Sequence, residues 1–520
     1  MTVFNRNAGT CLCAQKKRLY SVFLILILYV FAGASQVIAQ DILSPASKPF
    51  SRQIVIDEAE ALSKSSFVRP KSVPESLKNL DYDTYRQIRY RKNEAIWAKS
   101  RTPFNIELFA PGFLYTDLID ILIVENRVAR PLKVDNESFE VPDPALSERL
   151  VKAGKFAGFR LHYPLNTEAY RDEFTLFQGA SYFRAVSKGQ IYGLSARGLA
   201  LNVGMPAGEE FPVFRKYWIE RPDAAANAIV IHALLDSKSV TGAFRFGIYP
   251  GDTTRMEVSA SLFPRKDLDN VGLAPLTSMY MFSALDESDV PDYRPSVHDS
   301  DGLGILRGND ESLWRPLANP RSLQFSAFSD TNTKGYGLIQ RSRKFEAYQD
   351  LEANYEKRPS SWVEPIGDWG EGAVELVEIP SDSEGNDNVV AFWRPKNPLP
   401  ANQRFDYSYR LTWPNDTPSR DIKPRVIRSA LGQKLKSPFQ EFVIDYAGEQ
   451  RVNFEELRVD SSASGGRIIE SRFQPSDLIK GGRVFLTFDP EGEDMIEFRV
   501  QLKNGDESLG ETWLYRWYRD

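Results

Sequence analysis

Short strand-like segments dominate this sequence from about residue 100 onward. Apolar or alternating runs such as IELFAPGFLY, DILIVEN and FRLHYPL recur, and Gly, Pro, Asn and Asp interrupt them every 10–20 residues. No long alternation of strand and helix patterns occurs, which argues against a doubly wound parallel sheet. The pattern predicts an all-β protein built of antiparallel strands in a sandwich or barrel.

A proline-rich stretch divides this β-rich region in two. Residues 394–404 read RPKNPLPANQR, with three prolines and few apolar side chains, which is typical of a linker. About seven strand-like segments follow in roughly 115 residues, the size and strand number of an immunoglobulin-like sandwich. We therefore predict a large β-sandwich at residues 40–395, a linker at 396–404 and an immunoglobulin-like domain at 405–520. One helix is predicted in the leader of the first domain, at residues 56–66.

The first 39 residues have the pattern of a secretion signal. Residues 16–18 are KKR, residues 19–34 are almost wholly apolar, and residues 37–39 (VIA) give a small-residue cleavage site. No Arg-Arg pair precedes the apolar run, which favours the general export route. We predict a cleaved signal and a periplasmic location. The alternative is an uncleaved anchor, because the apolar run is nearly long enough to span a membrane.

The composition excludes several kinds of chemistry. Cys11 and Cys13 are the only cysteines and lie in the predicted signal, so the mature chain has no thiol and no disulfide. Cleavage removes four basic residues and no acid, so the net charge changes from −5 to −9, which argues against nucleic acid as a partner. His162, His232 and His298 lack metal-ligand spacing, and no phosphate, dinucleotide or serine-nucleophile motif is present. The sequence therefore predicts no metal and no cofactor.

Carboxylates are then the main candidates for catalysis. Asp299 and Asp301 lie two residues apart in the turn-like HDSDG and would face the same side of an extended segment. A plain turn is one alternative, with each Asp accepting bonds from nearby N–H groups. Calcium is another, because Asp299, Asp301, Gly304 and Asp310 fall on positions 1, 3, 6 and 12 of an EF-hand loop. Leu303 stands at position 5, where an oxygen ligand is needed.

A second acidic segment, SDSEGNDNVVAFW, precedes an apolar strand. Asp382 and Glu384 look like parts of a solvated loop. Asp387, between two asparagines at the start of the strand, is a candidate for the rim of a cleft, and a capped turn is the alternative.

Several segments have the mixture of residues that binds sugars. Aromatic faces hold pyranose rings, while Arg, Asp, Asn and Glu bind the hydroxyl groups. Packing at the edge of the core is the alternative for each segment. The segments are FQGASYFR (177–184), GEEFPVFRKYWIERP (208–222), LWRPLANP (313–320) and SSWVEPIGDWGEG (360–372).

Longer stretches around these residues resemble the periplasmic glucan biosynthesis proteins G and D, a family that acts on osmoregulated periplasmic glucans. The resemblance runs from about Leu80 to Pro395, and the absence of a twin arginine makes the chain more similar to protein G. The stretches include FAGFR (156–160), FQGASYFRA (177–185), YGLSARGLA (192–200), GEEFP (208–212), RPSVHDSDGL (294–303), WRPLANP (314–320), YEKRPSSWVEP (355–365) and NDNVVAFW (386–393).

The resemblance implies a fold and a chemistry. It implies a large sandwich like that of galactose mutarotases followed by a small immunoglobulin-like domain, in agreement with the strand pattern. It also implies a β-1,2-linked glucan as the ligand, with hydrolysis in some members that inverts the anomeric carbon. On that pattern Asp387 matches the general acid and Asp299 the general base, with Asp301 as the less favoured base. An inverting enzyme needs two such carboxyl groups about 6.5–9.5 Å apart.

The same motifs supply candidate substrate-binding residues. These are Tyr182, Arg184, Arg197, Glu209, Trp218, His298, Trp314, Arg315, Trp362 and Trp369. The chain departs from the family pattern at Ser296, Ser312 and Ser342, where serine replaces larger or acidic residues.

Two functions from different classes follow. The first is an enzyme that hydrolyses or remodels the β-1,2-glucan backbone in the periplasm during glucan biosynthesis. The second, suggested by the three serines, is a non-catalytic factor that binds the glucan or docks on an inner-membrane glucan synthase to control chain length or branching. A homodimer through an exposed strand edge is left open.

Overall fold

The predicted alternation of apolar and polar residues folds into β-strands that are distributed along the described chain. The computed structural model describes residues 43, 46–286, 291–416, 424–448 and 456–519. The predicted signal at residues 1–39 lies outside the described residues. Within them, no helix has both the length and the apolar character needed to cross a membrane.

The described residues form four α-helices and 33 β-strands. The helices are α1 (Arg52–Ser63), α2 (Glu75–Lys78), α3 (Tyr82–Tyr85) and α4 (Pro144–Ala153). The strands up to the site are β1 (Lys48–Pro49), β2 (Arg89–Tyr90), β3 (Asn105–Phe109), β4 (Asp120–Glu125), β5 (Val128–Pro131), β6 (Phe139–Glu140), β7 (Gly158–Tyr163), β8 (Asp172–Gln178), β9 (Tyr182–Ala185), β10 (Ser195–Arg197), β11 (Ala200–Leu201), β12 (Val213–Glu220), β13 (Ile229–Asp236), β14 (Val240–Tyr249), β15 (Thr254–Pro264), β16 (Val271–Ser278), β17 (Tyr280–Phe282) and β18 (Val297–His298). The remaining strands are β19 (Gly302–Leu306), β20 (Ser312–Pro316), β21 (Gln324–Thr331), β22 (Gly335–Ile339), β23 (Trp362–Ile366), β24 (Glu371–Glu378), β25 (Val389–Pro395), β26 (Phe405–Trp413), β27 (Arg425–Gln433), β28 (Gln440–Ala447), β29 (Arg458–Ala463), β30 (Arg467–Ser476), β31 (Gly481–Asp489), β32 (Met495–Asn504) and β33 (Glu507–Tyr518).

Two large sheets pack face to face. One has 15 strands in the order β1-β5-β4-β12-β13-β14-β15-β26-β23-β22-β19-β20-β33-β32-β29. The other has 10 strands in the order β21-β24-β25-β16-β10-β9-β8-β7-β3, with β11 paired to β16. Their facing side chains form one core in which Phe177, Phe246 and Trp393 are completely buried. The expectation of an all-β sandwich is confirmed; the likeness to galactose mutarotases stays a prediction.

Helix α1 covers the outer face of the larger sheet. Its spacing of apolar residues buries Val55, Ile56 and Ala59 against the sheet, where Trp218 and Leu234 receive them. The helix begins a few residues earlier than the predicted range of 56–66, at Arg52. Helix α1 therefore closes the part of this face formed by β13, β14 and β15 to a ligand.

The strands after residue 424 form a second core. Strands β27, β28, β31 and β30 make a four-stranded sheet that packs with β29, β32 and β33. The two parts share one sheet, because β33 pairs in parallel with β20 from Ser312 to Trp314. Strand β26 pairs with β15 and β23 and buries Tyr409 and Trp413 in the first core. The strand predicted to open the second domain at residue 405 therefore lies in the large sheet, while the division into two domains stays a prediction.

Candidate active site

Asp299 and Asp387 come from two loops at one end of neighbouring strands. Strand β16 ends at Ser278, and β25 begins opposite it at Val389. Asp299 follows β18, and its N–H donates to the carbonyl of Met279 at 2.8 Å. The loop that enters β25 brings Asp387 to the same end, so two carboxyl groups 88 positions apart in sequence lie at one site.

Asn388 holds the loop that carries Asp387. Its side chain is buried, accepts from the N–H of Tyr280 at 2.8 Å and donates to the carbonyl of Tyr280 at 2.9 Å. An amide that bonds both backbone groups of one residue fixes the loop on β17. The second asparagine of NDN is therefore a positioning residue for Asp387.

The HDSDG turn is equally constrained. The Ser300 and Ser278 hydroxyls lie 2.8 Å apart, and the N–H of Asp301 donates to the carbonyl of Ile339 at 2.8 Å. A Cβ on Gly302 would lie 2.6 Å from the Trp314 ring, so the close packing of these two strands requires glycine there.

Asp299 is buried and paired with a cation. The residue is 4% exposed, and its carboxylate accepts a hydrogen bond from the guanidinium of Arg358. Burial raises the pKa of Asp299 above its usual value, the charge of Arg358 opposes this rise, and the nearby charge of Asp387 adds to it. The charges of both Asp387 and Arg184 act on Asp299, in agreement with the meeting of the two loops at this end of the strands.

Asp387 is more open to solvent. Its side chain is 29% exposed, and its Oδ2 lies 3.7 Å from a guanidinium nitrogen of Arg184 on β9. Next along the sheet, Arg197 lies over the ring of Tyr182 at 4.9 Å and forms a buried ion pair with Glu209. The structure thus brings the sequence-predicted Tyr182, Arg184, Arg197 and Glu209 to the same face as Asp387.

A network that the sequence did not reveal joins the two acid-bearing loops. Arg358 lies 4.4 Å over the ring of Tyr355, and the Tyr355 hydroxyl donates to Glu384 at 3.0 Å. Arg294 donates to Glu384 at 2.8 Å and to Asp350 at 2.9 Å. Glu384, interpreted from sequence as part of a solvated loop, therefore holds the Asp387 loop against the partner of Asp299. The sequence feature that could have identified Arg358 is its position in YEKRPSSWVEP, one of the stretches that resemble the family.

Asp301 and His298 support the backbone beside the site. Asp301 accepts from the N–H groups of Arg341 and Ser342, and its Oδ1 lies 3.5 Å from His298 Nε2. His298 is buried, and its Nδ1 is 2.9 Å from the Gln340 amide oxygen. Both backbone bonds are accepted by Oδ2, so Asp301 fixes the segment that follows β22.

The calcium alternative has no support in the described ranges. They contain no group of three or more His, Cys, Asp or Glu residues arranged to hold a metal ion. Asp310 instead pairs with Lys334.

Five of the predicted sugar-binding residues lie in packed surroundings. Trp218 lies beneath α1, with Lys216 Nζ 4.4 Å from its ring centroid. Trp314 and Trp362 are buried in the second core, and Arg315 is buried in an ion pair with Glu378 at 3.1 Å. Trp369 packs on Trp393, Tyr407 and Tyr409. For these five residues the structure favours packing over contact with a ligand.

Comparison with known proteins agrees with the resemblance seen in the sequence. The family described as "Periplasmic glucan biosynthesis protein, MdoG" matches residues 50–517. The glucans biosynthesis protein G 2 of Shewanella oneidensis is 52% identical over 474 residues, which cover 91% of this chain and 90% of the relative. Glucans biosynthesis protein G of Vibrio cholerae is 47% identical, with 90% of this chain and 87% of the relative covered.

Among solved structures, a GH36 α-galactosidase from Geobacillus stearothermophilus aligns at 9% identity with a TM-score of 0.24. The alignment covers 49% of this chain and 39% of that one, and a similarity this low supports no inference. The family match, by contrast, extends over residues 50–517 and reaches the last strand, β33. The chain therefore belongs to the MdoG family of periplasmic glucan biosynthesis proteins.

Proposed function

We propose that this protein acts in periplasmic glucan biosynthesis and hydrolyses or remodels a β-1,2-linked glucan backbone with inversion at the anomeric carbon. The observation that carries the proposal is that the loops of Asp299 and Asp387 meet at one site, where the Arg358 that pairs with Asp299 lies over Tyr355 and Tyr355 bonds Glu384 of the Asp387 loop. Two carboxyl groups at one site, beside arginine and tyrosine side chains that can bind hydroxyl groups, are the minimum equipment of an inverting glycosidase.

Asp299 takes the role of general base. Arg358 favours its ionised form, while burial makes the carboxylate a stronger proton acceptor than a solvated Asp. The enclosed position also suits a base that activates a single water molecule.

Asp387 takes the role of general acid. It must hold a proton when the glycosidic oxygen leaves, and its Oδ2 lies 3.7 Å from a guanidinium nitrogen of Arg184. A sugar ring that enters between the two side chains would separate them and exclude water from the carboxyl group. Substrate binding, in this proposal, prepares the acid.

The proposal is tested by product analysis. The mature chain is incubated with linear β-1,2-glucan, and released oligosaccharides are separated and quantified. Asp387→Asn and Asp299→Asn should each lower the rate about 10²–10⁴-fold. The matched control is Asp382→Asn, an exposed acid in the same loop, which should leave the rate unchanged. Equal and negligible release by wild type and the Asp387→Asn variant would refute the enzyme.

The second candidate is a non-catalytic factor that binds glucan, or docks on an inner-membrane synthase, and sets chain length or branching. Ser342 favours it, because serine stands here in place of the acidic residue of the family pattern, in the segment whose backbone N–H groups hold Asp301 (3.1 Å from Ser342 N). Saturable glucan binding in calorimetry without turnover would support this candidate, and absence of binding would remove it.

A further inference from the structure

A second pocket lies on the same open face as the two acids. It encloses about 720 Å³ at the far edge of the smaller sheet. Its walls come from residues 82–92 and 109–115, and its floor includes Glu107, Arg160 and Glu173. None of these residues took part in the site described above.

Strand register connects this pocket with Arg184. Glu107 on β3 pairs with Arg160 on β7, Arg160 pairs with Leu176 on β8, and Leu176 pairs with Arg184 on β9. Residues paired in this way point to the same face of a sheet. Three strand spacings separate Glu107 from Arg184, a distance of about 14 Å. One continuous floor therefore runs from the pocket to the contact between Arg184 and Asp387.

Aromatic rings form the walls of the pocket. The ring of Tyr85 lies 5.8 Å from that of Phe113 and 5.9 Å from that of Tyr115. Tyr82 is 60% exposed, with its ring 6.1 Å from that of Phe113. The Asp81 side chain caps α3 by accepting from the N–H of Thr84 at 2.7 Å, which fixes the turn that presents Tyr82.

The floor is polar, and its two carboxylates, Glu107 and Glu173, share the guanidinium of Arg160. Arg160 donates to Glu107 at 2.6 Å and to Glu173 at 2.9 Å. His162 Nε2 is buried and lies 3.6 Å from Glu107 Oε1, too far for a hydrogen bond, so it retains an unused bonding position. Aromatic walls above a floor of hydrogen-bonding side chains suit a polyhydroxylated ring, which can stack on the walls and bond the floor through its hydroxyl groups.

We propose that this aromatic pocket binds pyranose rings of the same neutral glucan chain, at a distance from the bond that the two acids act on. The proposal rests on the proposed function for the identity of the ligand. A chain long enough to reach from Asp387 to Tyr82 is held at both ends of the floor, and a shorter chain is held only near the acids. The pocket thereby makes the protein selective for long glucan.

Binding is measured by calorimetry with linear β-1,2-glucooligosaccharides of graded length, in an Asp387→Asn background that prevents turnover. Removal of one stacking ring by Tyr82→Ala should weaken binding of the long chains about 3- to 10-fold and leave short chains unaffected. Tyr82→Phe, which keeps the ring, should retain the long-chain affinity. Tyr170→Ala is the matched control, because Tyr170 is also 60% exposed and does not line the pocket.

The proposal would be overturned if Tyr82→Ala weakened the binding of long and short chains equally, or weakened the binding of neither. Thermal unfolding of each variant verifies that the fold is intact. Binding does not require turnover, so a length effect without hydrolysis would sustain this pocket and refute only the enzyme. Hydrolysis without a length effect would support the enzyme and refute the pocket. Failure of the wild-type chain to bind glucan of any length would refute both.

Discussion

Replacement of Arg358 by methionine isolates the electrostatic balance at Asp299. The guanidinium neutralises a carboxylate that is 4% exposed and also lies over the Tyr355 ring. Methionine keeps much of the apolar stem and removes the charge. Asp299 would then be buried beside Asp387 with only the charge of Arg184 to oppose the effect of burial, so its pKa should rise further.

The size of the effect follows from the cost of an unpaired buried charge. Breaking a buried ion pair from one side costs about 3–5 kcal/mol of the free energy of unfolding. The penalty applies only while Asp299 is ionised. A carboxyl group with a raised pKa in the folded state makes folding less favourable as the pH rises above its unfolded value. The variant should therefore be close to wild type near pH 4 and fall behind it as the pH increases.

Urea denaturation of wild type and Arg358→Met across pH 4 to 8 measures this directly. Arg358→Lys keeps a charge and should lose less stability. Asp299→Asn in the Arg358→Met background removes the unpaired charge and should recover most of the loss at neutral pH. If the enzyme proposal holds, the acidic limb of the pH–rate profile should also move to higher pH in Arg358→Met.

Two outcomes would refute this reasoning. A stability loss that is the same at every pH would mean that packing on Tyr355, and not the charge of Asp299, explains the role of Arg358. Failure of Asp299→Asn to restore stability in the double variant would mean that the two side chains are not energetically coupled.

Two further predictions concern packing and pH. Trp218→Ala should lower the free energy of unfolding by about 3–5 kcal/mol and leave glucan affinity unchanged, because Trp218 packs beneath α1; a selective loss of affinity in calorimetry would contradict this. Burial raises the pKa of Asp286 from 3.8 to about 7, since Tyr280 and neighbouring groups enclose its carboxyl. The folded state therefore binds a proton that the unfolded chain has released, so stability should fall as the pH rises from about 4 to about 7, by about 2–4 kcal/mol. Asp286→Asn should remove this part of the pH dependence in urea denaturation, and an unchanged pH profile would refute the assignment.

The strand pattern predicted the fold because the rule behind it is local. Alternation along β9 places Tyr182 and Arg184 on the open face and Phe183 in the core, and this could be inferred from the order of residues alone. Which element covers each face of a sheet depends on contacts between residues that are distant in the sequence. Trp218 lies among charged residues that resemble a sugar platform, yet α1, far upstream in the chain, covers its face.

The candidate site could likewise be predicted only in part from the sequence. Asp299 and Asp387 could be identified because each stands in a distinctive motif. Glu384 could not, because its partners Tyr355 and Arg294 lie 29 and 90 residues away and only the folded chain brings them together. The aromatic pocket near Tyr82 was missed for a related reason. Its walls come from residues 82–92 and 109–115, and its floor comes from β3, β7 and β8.

The central claim is that Asp299 and Asp387 act together on one glycosidic bond. The most direct measurement is time-resolved proton NMR of linear β-1,2-glucan during its reaction with the wild-type chain. The account predicts that new reducing ends appear first as the α-anomer, and that neither Asp299→Asn nor Asp387→Asn produces them at a comparable rate. New ends that appear first as the β-anomer, or undiminished product from either variant, would contradict it.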